Sequence, residues 1–177
     1  MGNLYARVAV LSVVATLCLG AGSATAAADQ PSTITGQTQL ESQIVTALNA
    51  KRRARGLVQL RLSPALARAA DGHTRAMATY GFFSHVSPDG GSLRQRVRQY
   101  HAQSRRWAAG ENLLWASPSV EAADAVQMWM ESPGHRRNML AANWRDVGLA
   151  AVSVPAAKGV FQGLNVVIVT AVFGARS

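Results

Sequence analysis

Residues 81–90 read Gly81-Phe82-Phe83-Ser84-His85-Val86-Ser87-Pro88-Asp89-Gly90, and the rest of the chain is organised around them. Glycine readily adopts the left-handed conformation that ends many helices, so Gly81 predicts a helix end. The Pro88-Asp89-Gly90 run has turn chemistry, which predicts a loop over residues 82–92. His85 lies in this loop beside two aromatic residues, which would fix its backbone and leave the imidazole accessible. A turn-stabilising histidine and a functional histidine both fit this position.

Before this loop, the apolar spacing predicts two helices. The first begins near Leu40 and ends at Gly56. The second begins with Ser63 as its cap and Pro64 at its first position, where no backbone N–H is needed. His73 lies on the apolar face of this helix, where we expect a buried histidine that is satisfied by a neighbour. The apolar faces comprise Leu40, Ile44, Ala47 and Leu48 in the first helix, and Leu66, Ala69, Ala70, Met77 and Tyr80 in the second.

After the loop, the chain changes from helical to strand patterns. A short helix is predicted over 93–100, and a strand or extended segment over 107–115. Ser119 is the predicted cap of a further helix, which breaks at Pro133-Gly134. Valine-rich stretches over 146–154 and 160–173, with a turn at 155–159, predict an antiparallel hairpin. Helices first and strands last indicate an α+β fold, with helices packed on an antiparallel sheet.

The first 28 residues have the pattern of a secretory signal peptide. Arg7 precedes an apolar run over 8–20 that is short for a bilayer span, and small residues offer a cleavage site at 24–26 or 26–28. An uncleaved membrane anchor is the alternative. Cys18, the single cysteine, lies inside this segment, so the mature chain would hold no disulfide and no thiol nucleophile. We predict a signal peptide over 1–28, a flexible lead-in over 29–39 and one domain over 40–177.

The chain is strongly basic, with 18 Lys and Arg residues against 9 Asp and Glu and a net charge of +9. Such a charge favours anionic partners such as lipid surfaces and cell-wall glycans, although an arginine-rich composition alone would produce the same value. No aromatic residue interleaves the densest basic run, residues 51–55, so specific nucleic-acid binding is not indicated. We expect a secreted or periplasmic monomer.

Glu111 and His135 join His85 as candidate functional residues. Glu111 lies between Gly110 and Asn112 and precedes apolar residues, so its carboxylate must be paired, hydrogen-bonded or protonated. His135 follows the predicted helix break. Two histidines and a carboxylate suit a divalent ion such as zinc, bound by His85 and His135, or acid–base chemistry near neutral pH. Their spacing does not choose between these two kinds of site.

Five blocks of sequence occur in a recognisable order. They are the opening from Leu48-Asn49 to Met77, then Gly81 to Gly90, Gly110-Glu111-Asn112-Leu113, Trp129 to Leu140 with Ser132-Pro133-Gly134-His135-Arg136, and Val147-Gly148-Leu149-Ala150. This order resembles the bacterial branch of the CAP superfamily, whose unit is the SCP-like domain, over roughly residues 40–174. The resemblance implies secretion and an α-β-α sandwich, in which helices flank an antiparallel sheet on both sides.

The resemblance also implies a family site of two histidines and two glutamates. His85 matches the first histidine, and Glu111 matches the glutamate of the Gly-Glu-Asn block. Ser132 occupies the position of the second glutamate, with Glu131 one residue before it. No histidine lies at 142–145, where the second family histidine is usual, so His135 is the candidate to replace it.

Three hypotheses for these residues stay open. A secreted binding module would receive a small apolar ligand, a glycan or a divalent ion. A hydrolase acting on glycan or peptide would use Glu111 as acid or base, while His85 and His135 orient water, directly or through a metal. A structural network would only tie loops together. The predicted binding set is His85, Glu111, Asn112, Glu131, Ser132 and His135, of which His85, Glu111 and His135 are the candidate catalytic residues.

Overall fold

The computed structural model describes residues 33–102, 104 and 106–176, so the signal peptide predicted over 1–28 lies outside the described residues. In this part, one to three helices separate successive strands until a long hairpin ends the fold. In chain order they are β1 (Thr35–Gly36), α1 (Thr38–Arg53), β2 (Arg61–Leu62), α2 (Pro64–Tyr80), α3 (Leu93–Arg96), α4 (Arg98–His101), β3 (Trp107–Ala116), α5 (Ala122–Glu131), α6 (Pro133–Leu140), β4 (Asp146–Ala157), a 3₁₀ turn (Gly159–Phe161) and β5 (Leu164–Arg176).

One sheet forms the middle layer, with the order β1-β4-β5-β3 and with β2 also paired to β4. The long strands β4, β5 and β3 pair antiparallel, whereas β2 runs parallel to β4 over two residues. β3 is the last strand of this order, so one of its edges is free of a strand partner among the described residues. At that edge, residues from the two helical layers can approach each other.

Helices cover both faces of the sheet. On one face, buried residues of α1, α5 and α6 pack with Leu149, Ala151 and Val169. On the other face, α2 packs through Leu66 and Met77 in two clusters that include residues of β4 and β5. The predicted α-β-α sandwich is confirmed, and its strands are buried on both sides because both faces are covered.

The local helix signals around α2 are confirmed. The Ser63 side chain accepts a hydrogen bond from the Leu66 N–H, Pro64 occupies the first position, and Gly81 ends the helix at φ +69°. The prediction that Ser119 caps the next helix is wrong, because α5 begins after Glu121 and has no side-chain cap. The predicted 93–100 helix is two short helices that break at Val97, whose side chain is fully buried.

The hairpin is longer than its sequence pattern predicts, and its turn lies later. β4 continues through Pro155 to Ala157, with a bulge between Val154 and Ala157. The chain then turns through the 3₁₀ segment, which buries Phe161 completely. Gly159 and Gly163 adopt positive φ angles in this turn, +65° and +75°.

Part of the predicted lead-in is ordered. Thr35–Gly36 pairs with Ser153 and Val152 of β4, and α1 already begins at Thr38. In the described part of the chain, no helix is long and apolar enough to cross a bilayer.

Candidate functional site

Glu111 is the centre of the site, and its carboxylate is almost fully buried on β3. The side chain is 2% exposed, and each of its oxygens has a close partner. His85 Nδ1 lies 2.9 Å from Oε1, and Arg96 Nη2 donates to Oε2 at 2.8 Å. A buried carboxylate needs such partners, because an unpaired charge in a low-dielectric surrounding is very costly. The sequence prediction that this carboxylate is paired, hydrogen-bonded or protonated agrees with this geometry, in which it is both paired and hydrogen-bonded.

Arg96 is the residue of the site that the sequence did not identify. Its guanidinium also donates to the backbone oxygens of Gly91 at 3.0 Å and His85 at 3.1 Å. Arg96 reaches them from α3, whose start is fixed by a reciprocal capping box between Ser92 and Gln95. Arg96 therefore holds both the carboxylate and the loop that carries His85. In the sequence it is one member of an alternating arginine run, and the only local hint was the Ser-x-x-Gln cap before it.

His73 anchors the same loop from inside. Its Nε2 lies 2.8 Å from the Ser84 carbonyl oxygen, which can only accept, so Nε2 carries the proton. Nδ1 then serves as the acceptor for the Ser87 hydroxyl at 3.4 Å. Burial and the nearby positive charge of Arg96 lower the pKa of His73, which favours this neutral form. The predicted core histidine is confirmed, and it contacts the Ser84 backbone and the Ser87 side chain on either side of His85.

His85 itself is exposed, with 57% of its side chain open to solvent. Its Nδ1 faces the buried carboxylate, so Nε2 is the ring atom that remains for a ligand or a proton. From the sequence we predict a fixed backbone and an accessible imidazole at His85. Both features are present, and the imidazole orientation comes from Glu111.

His135 belongs to the opposite helical layer and approaches around the free edge of β3. Asn112 Nδ2 donates to the His135 carbonyl oxygen at 3.1 Å, and Asn138 Nδ2 donates to Asn112 Oδ1 at 3.0 Å. The Asn138 amide also donates to the Glu111 carbonyl oxygen at 3.1 Å, so α6 is fastened directly to β3. Burial and the nearby His85 lower the pKa of His135. His135 is therefore attached to the site through its backbone, by way of Asn112, the neighbour of Glu111 on β3.

The remaining predicted residues lie at the junction of α5 and α6. Ser132 is half-buried between these helices, and its side chain makes no capping hydrogen bond. Glu131 is exposed, and its Oε1 accepts a hydrogen bond from Gln127 one turn earlier on α5. The structure thus brings His85 and Glu111 into contact and ties the backbone of His135 to Asn112, whereas Glu131 is engaged on its own helix.

The arrangement of the described residues does not suit a zinc ion at this site. Among them, no group of three or more His, Cys, Asp or Glu side chains is arranged to hold a metal. Both oxygens of Glu111 are occupied, and Arg96 places a fixed positive charge against the carboxylate. A divalent cation would be repelled by that guanidinium, so the groups that the site offers for chemistry are the protein's own side chains.

The sequence profile of the family described as "CAP: Cysteine-rich secretory protein family" matches residues 45–173, most of the chain. This chain belongs to the CAP family. The matched range contains α2, the loop of His85, and β3 with Glu111, which are the elements that build the site.

Two Bacillus subtilis (strain 168) proteins are among the relatives of this CAP domain. It is 35% identical over 113 residues to "Uncharacterized membrane protein YlbC", covering 64% of this chain and 32% of that protein. It is 30% identical over 112 residues to "Uncharacterized protein YkwD", covering 63% of this chain and 42% of that protein. The chain therefore spans well under half the length of these relatives.

Solved structures share the architecture of this CAP domain. An extracellular protein containing an SCP domain from Bacillus anthracis superposes with a TM-score of 0.60 at 26% identity, covering 79% of this chain and 41% of the other. An outer surface protein from Borrelia burgdorferi superposes with a TM-score of 0.65 at 16% identity, covering 82% of this chain and 99% of the other. The second likeness concerns the fold alone.

Proposed function

We propose that this CAP-domain protein is secreted and that its exposed His85 imidazole, together with His135, binds an oxygen-rich ligand such as a cell-wall glycan. The observation that carries the proposal is the complete engagement of Glu111. With its two oxygens held by His85 and Arg96, the carboxylate orients His85 and has little freedom to exchange a proton with a substrate. The group offered to a ligand is therefore the outer nitrogen of His85.

The chemistry of the site favours a hydroxyl-rich ligand over a small apolar one. An imidazole nitrogen can donate to or accept from a sugar hydroxyl, and the lowered pKa of His135 favours its neutral form beside it. A small apolar ligand would need a dry pocket, whereas His85 is more than half exposed. Secretion is supported by the predicted signal peptide and by the extracellular relative from Bacillus anthracis.

Binding of soluble cell-wall glycan fragments to the full chain, measured by isothermal titration calorimetry, tests this proposal. His85→Asn is the informative variant, because its amide can still donate to Glu111 but the outer ring nitrogen is lost. We expect binding to weaken about tenfold, the effect of one lost hydrogen bond of about 1.4 kcal/mol. The control is Val86→Ala, which truncates the exposed neighbour in the same loop and should leave affinity unchanged.

A purely structural role for the network predicts a different pattern. His85→Asn would then lower the melting temperature while glycan affinity stayed at the level of the unmodified protein. Absence of glycan binding by the unmodified protein would likewise end the proposal.

A hydrolase is the second candidate, and one observation favours it. An exposed imidazole whose Nδ1 faces a buried carboxylate is the arrangement that orients a general base. His85 would accept a proton from the attacking water, and Glu111 would hold the ring rather than act as the acid or base. Glu111→Gln should then reduce turnover of a glycan or peptide about 10²–10⁴-fold, measured as released reducing ends or amines. Equal turnover in the variant would exclude this mechanism.

A further inference from the structure

A second surface, separate from the Glu111 site, has the character of an anion-binding groove. It is a hollow of about 380 Å³ where β3 begins and β5 ends, and its lining includes Arg106, Trp107, Asn143, Arg145 and Arg176. We propose that this basic groove binds the phosphate groups of an anionic extracellular polymer. The inference does not depend on what binds at His85.

Two of the three arginines are held in place by the protein. Arg145 Nη1 donates to the backbone oxygens of Ala142 at 2.8 Å and Trp144 at 2.9 Å. Arg176 Nη1 donates to the Tyr100 carbonyl oxygen at 2.8 Å, and its guanidinium lies 4.6 Å from the centre of the Tyr100 ring. Each guanidinium has five N–H donors, so both keep donors for a ligand. Groups that are already ordered lose less entropy when a ligand binds.

The charge around the groove is unbalanced. None of the described residues that line it is acidic. The carboxylate of Asp146 lies behind it, but that group is buried and already accepts hydrogen bonds from Tyr100 at 2.9 Å and from Arg61. Arg176 Nε lies 4.0 Å from Asp146, at the limit of an ion pair. Of the arginines that line the groove, only Arg176 approaches this carboxylate, so the groove keeps a positive charge.

A further arginine, Arg94, lies beside Trp107 at the start of β3. The Trp107 indole stacks on the His101 ring at 3.9 Å, and the guanidinium of Arg94 lies 5.0 Å from its ring centre. These contacts fix Trp107 at the start of β3 and place the positive charge of Arg94 beside it. The planar fork of arginine matches phosphate oxygens, and Asn143 adds amide donors.

A discrete phosphate group fits this groove better than a membrane surface. Membrane-binding faces combine basic residues with exposed apolar side chains that enter the lipid. The large apolar side chains that are exposed in the described part of the chain lie outside the groove lining, and they are Val58, Leu62, Tyr80, Val86, Val160 and Leu164.

Calorimetric titration of the full chain with soluble inorganic polyphosphate tests the proposal, with vesicles of anionic phospholipid as a separate arm. Arg106→Glu is the main variant, because Arg106 is exposed on the groove. Arg53→Glu is the matched control, since Arg53 is also exposed, lies at the end of α1 and gives the same change in net charge. We expect polyphosphate affinity to fall at least about tenfold in Arg106→Glu and less than twofold in Arg53→Glu.

Arg145→Ala is the second groove variant, and its melting temperature is measured alongside because Arg145 also holds two backbone oxygens. A folded Arg145→Ala with weakened polyphosphate binding supports the groove. Equal losses in Arg106→Glu and Arg53→Glu would mean that the overall charge alone attracts the polymer, which overturns the proposal. Vesicle binding that depends on Arg106 more strongly than polyphosphate binding does would also overturn it, in favour of a membrane face.

Discussion

Glu111 shows how burial divides the roles within a pair of titratable groups. Its side chain is 2% exposed and that of His85 is 57% exposed, although the two lie in contact. The sequence indicated that this carboxylate needs a partner, because apolar residues follow it. It did not identify Arg96, which lies fifteen positions earlier and reaches Glu111 only when α3 begins at Ser92. The buried acid therefore acts as the positioning group, and the exposed imidazole is available for contact.

The Arg96–Glu111 pair should show strong energetic coupling. Arg96→Gln leaves a buried carboxylate without its cationic partner, which we expect to cost about 3 kcal/mol of unfolding free energy. The double variant Arg96→Gln/Glu111→Gln leaves no buried charge and should be more stable than Arg96→Gln alone. Urea unfolding of the two single variants and the double variant measures this. Simple additivity of the two single effects would show that the pair is not coupled.

At the scale of elements, the close approach of α2 to the sheet depends on Gly148 of β4. A side-chain carbon placed there would lie 2.1 Å from the Leu66 carbonyl carbon and 2.2 Å from the Ala67 nitrogen, which are backbone atoms of α2. Backbone cannot move aside as a flexible side chain can. Gly148 therefore sets the distance between the helix and the strand, and α2 carries His73 toward the site at that distance.

A pair of glycine substitutions tests this contact. Gly148→Ala should push α2 away from β4 and lower the unfolding free energy by about 3 kcal/mol. Gly72→Ala serves as the control, since Gly72 lies on α2 itself with no atom within 4 Å of the added carbon. Alanine is the better helix former, so Gly72→Ala should raise stability by about 0.5–1 kcal/mol. Thermal and urea unfolding of both variants measure the effect, and equal stability for the two would contradict the assigned contact.

Elements whose signals are local agree well between sequence and structure. Ser63, Pro64 and Gly81 act within one turn of the residues that they cap, so the bounds of α2 follow from the sequence. The hairpin turn lies later than its sequence pattern predicts, and it places Phe161 in a core cluster with residues distant in sequence, which no local pattern reports. Ser119 has the residue type of a helix cap, but α5 begins only after Glu121.

At the scale of the whole molecule, the site depends on the position of β3 at the edge of the sheet. Glu111 and Asn112 are neighbours on β3, so their side chains point to opposite faces of the sheet. Glu111 meets His85 and Arg96 on the α2 side. On the α6 side, Asn112 donates to the His135 carbonyl oxygen and accepts from the Asn138 side chain. The sequence selected the residue types, but it could not show that β3 is the strand around which the two layers meet.

The stability of the whole fold should depend on pH through its two histidines with lowered pKa values. His73 is fully buried, and burial followed by the charge of Arg96 lowers its pKa, while burial followed by His85 lowers that of His135. The folded protein holds both rings neutral at pH values where the unfolded chain, with a histidine pKa near 6.5, already binds protons. Stability is then complete above pH 6.5 and falls as the pH drops below it.

Urea unfolding at a series of pH values between about 5 and 7 measures this dependence. His73 alone should contribute a slope of up to about 1.4 kcal/mol per pH unit, because one extra proton binds to the unfolded chain. In His73→Gln, the amide can still donate to the Ser84 carbonyl oxygen but no longer titrates, so the slope should decrease while the fold is kept. A variant whose slope equals that of the unmodified protein would show that the protonation of His73 is not linked to folding. The loop of His85 would then hold its shape without a neutral ring beneath it.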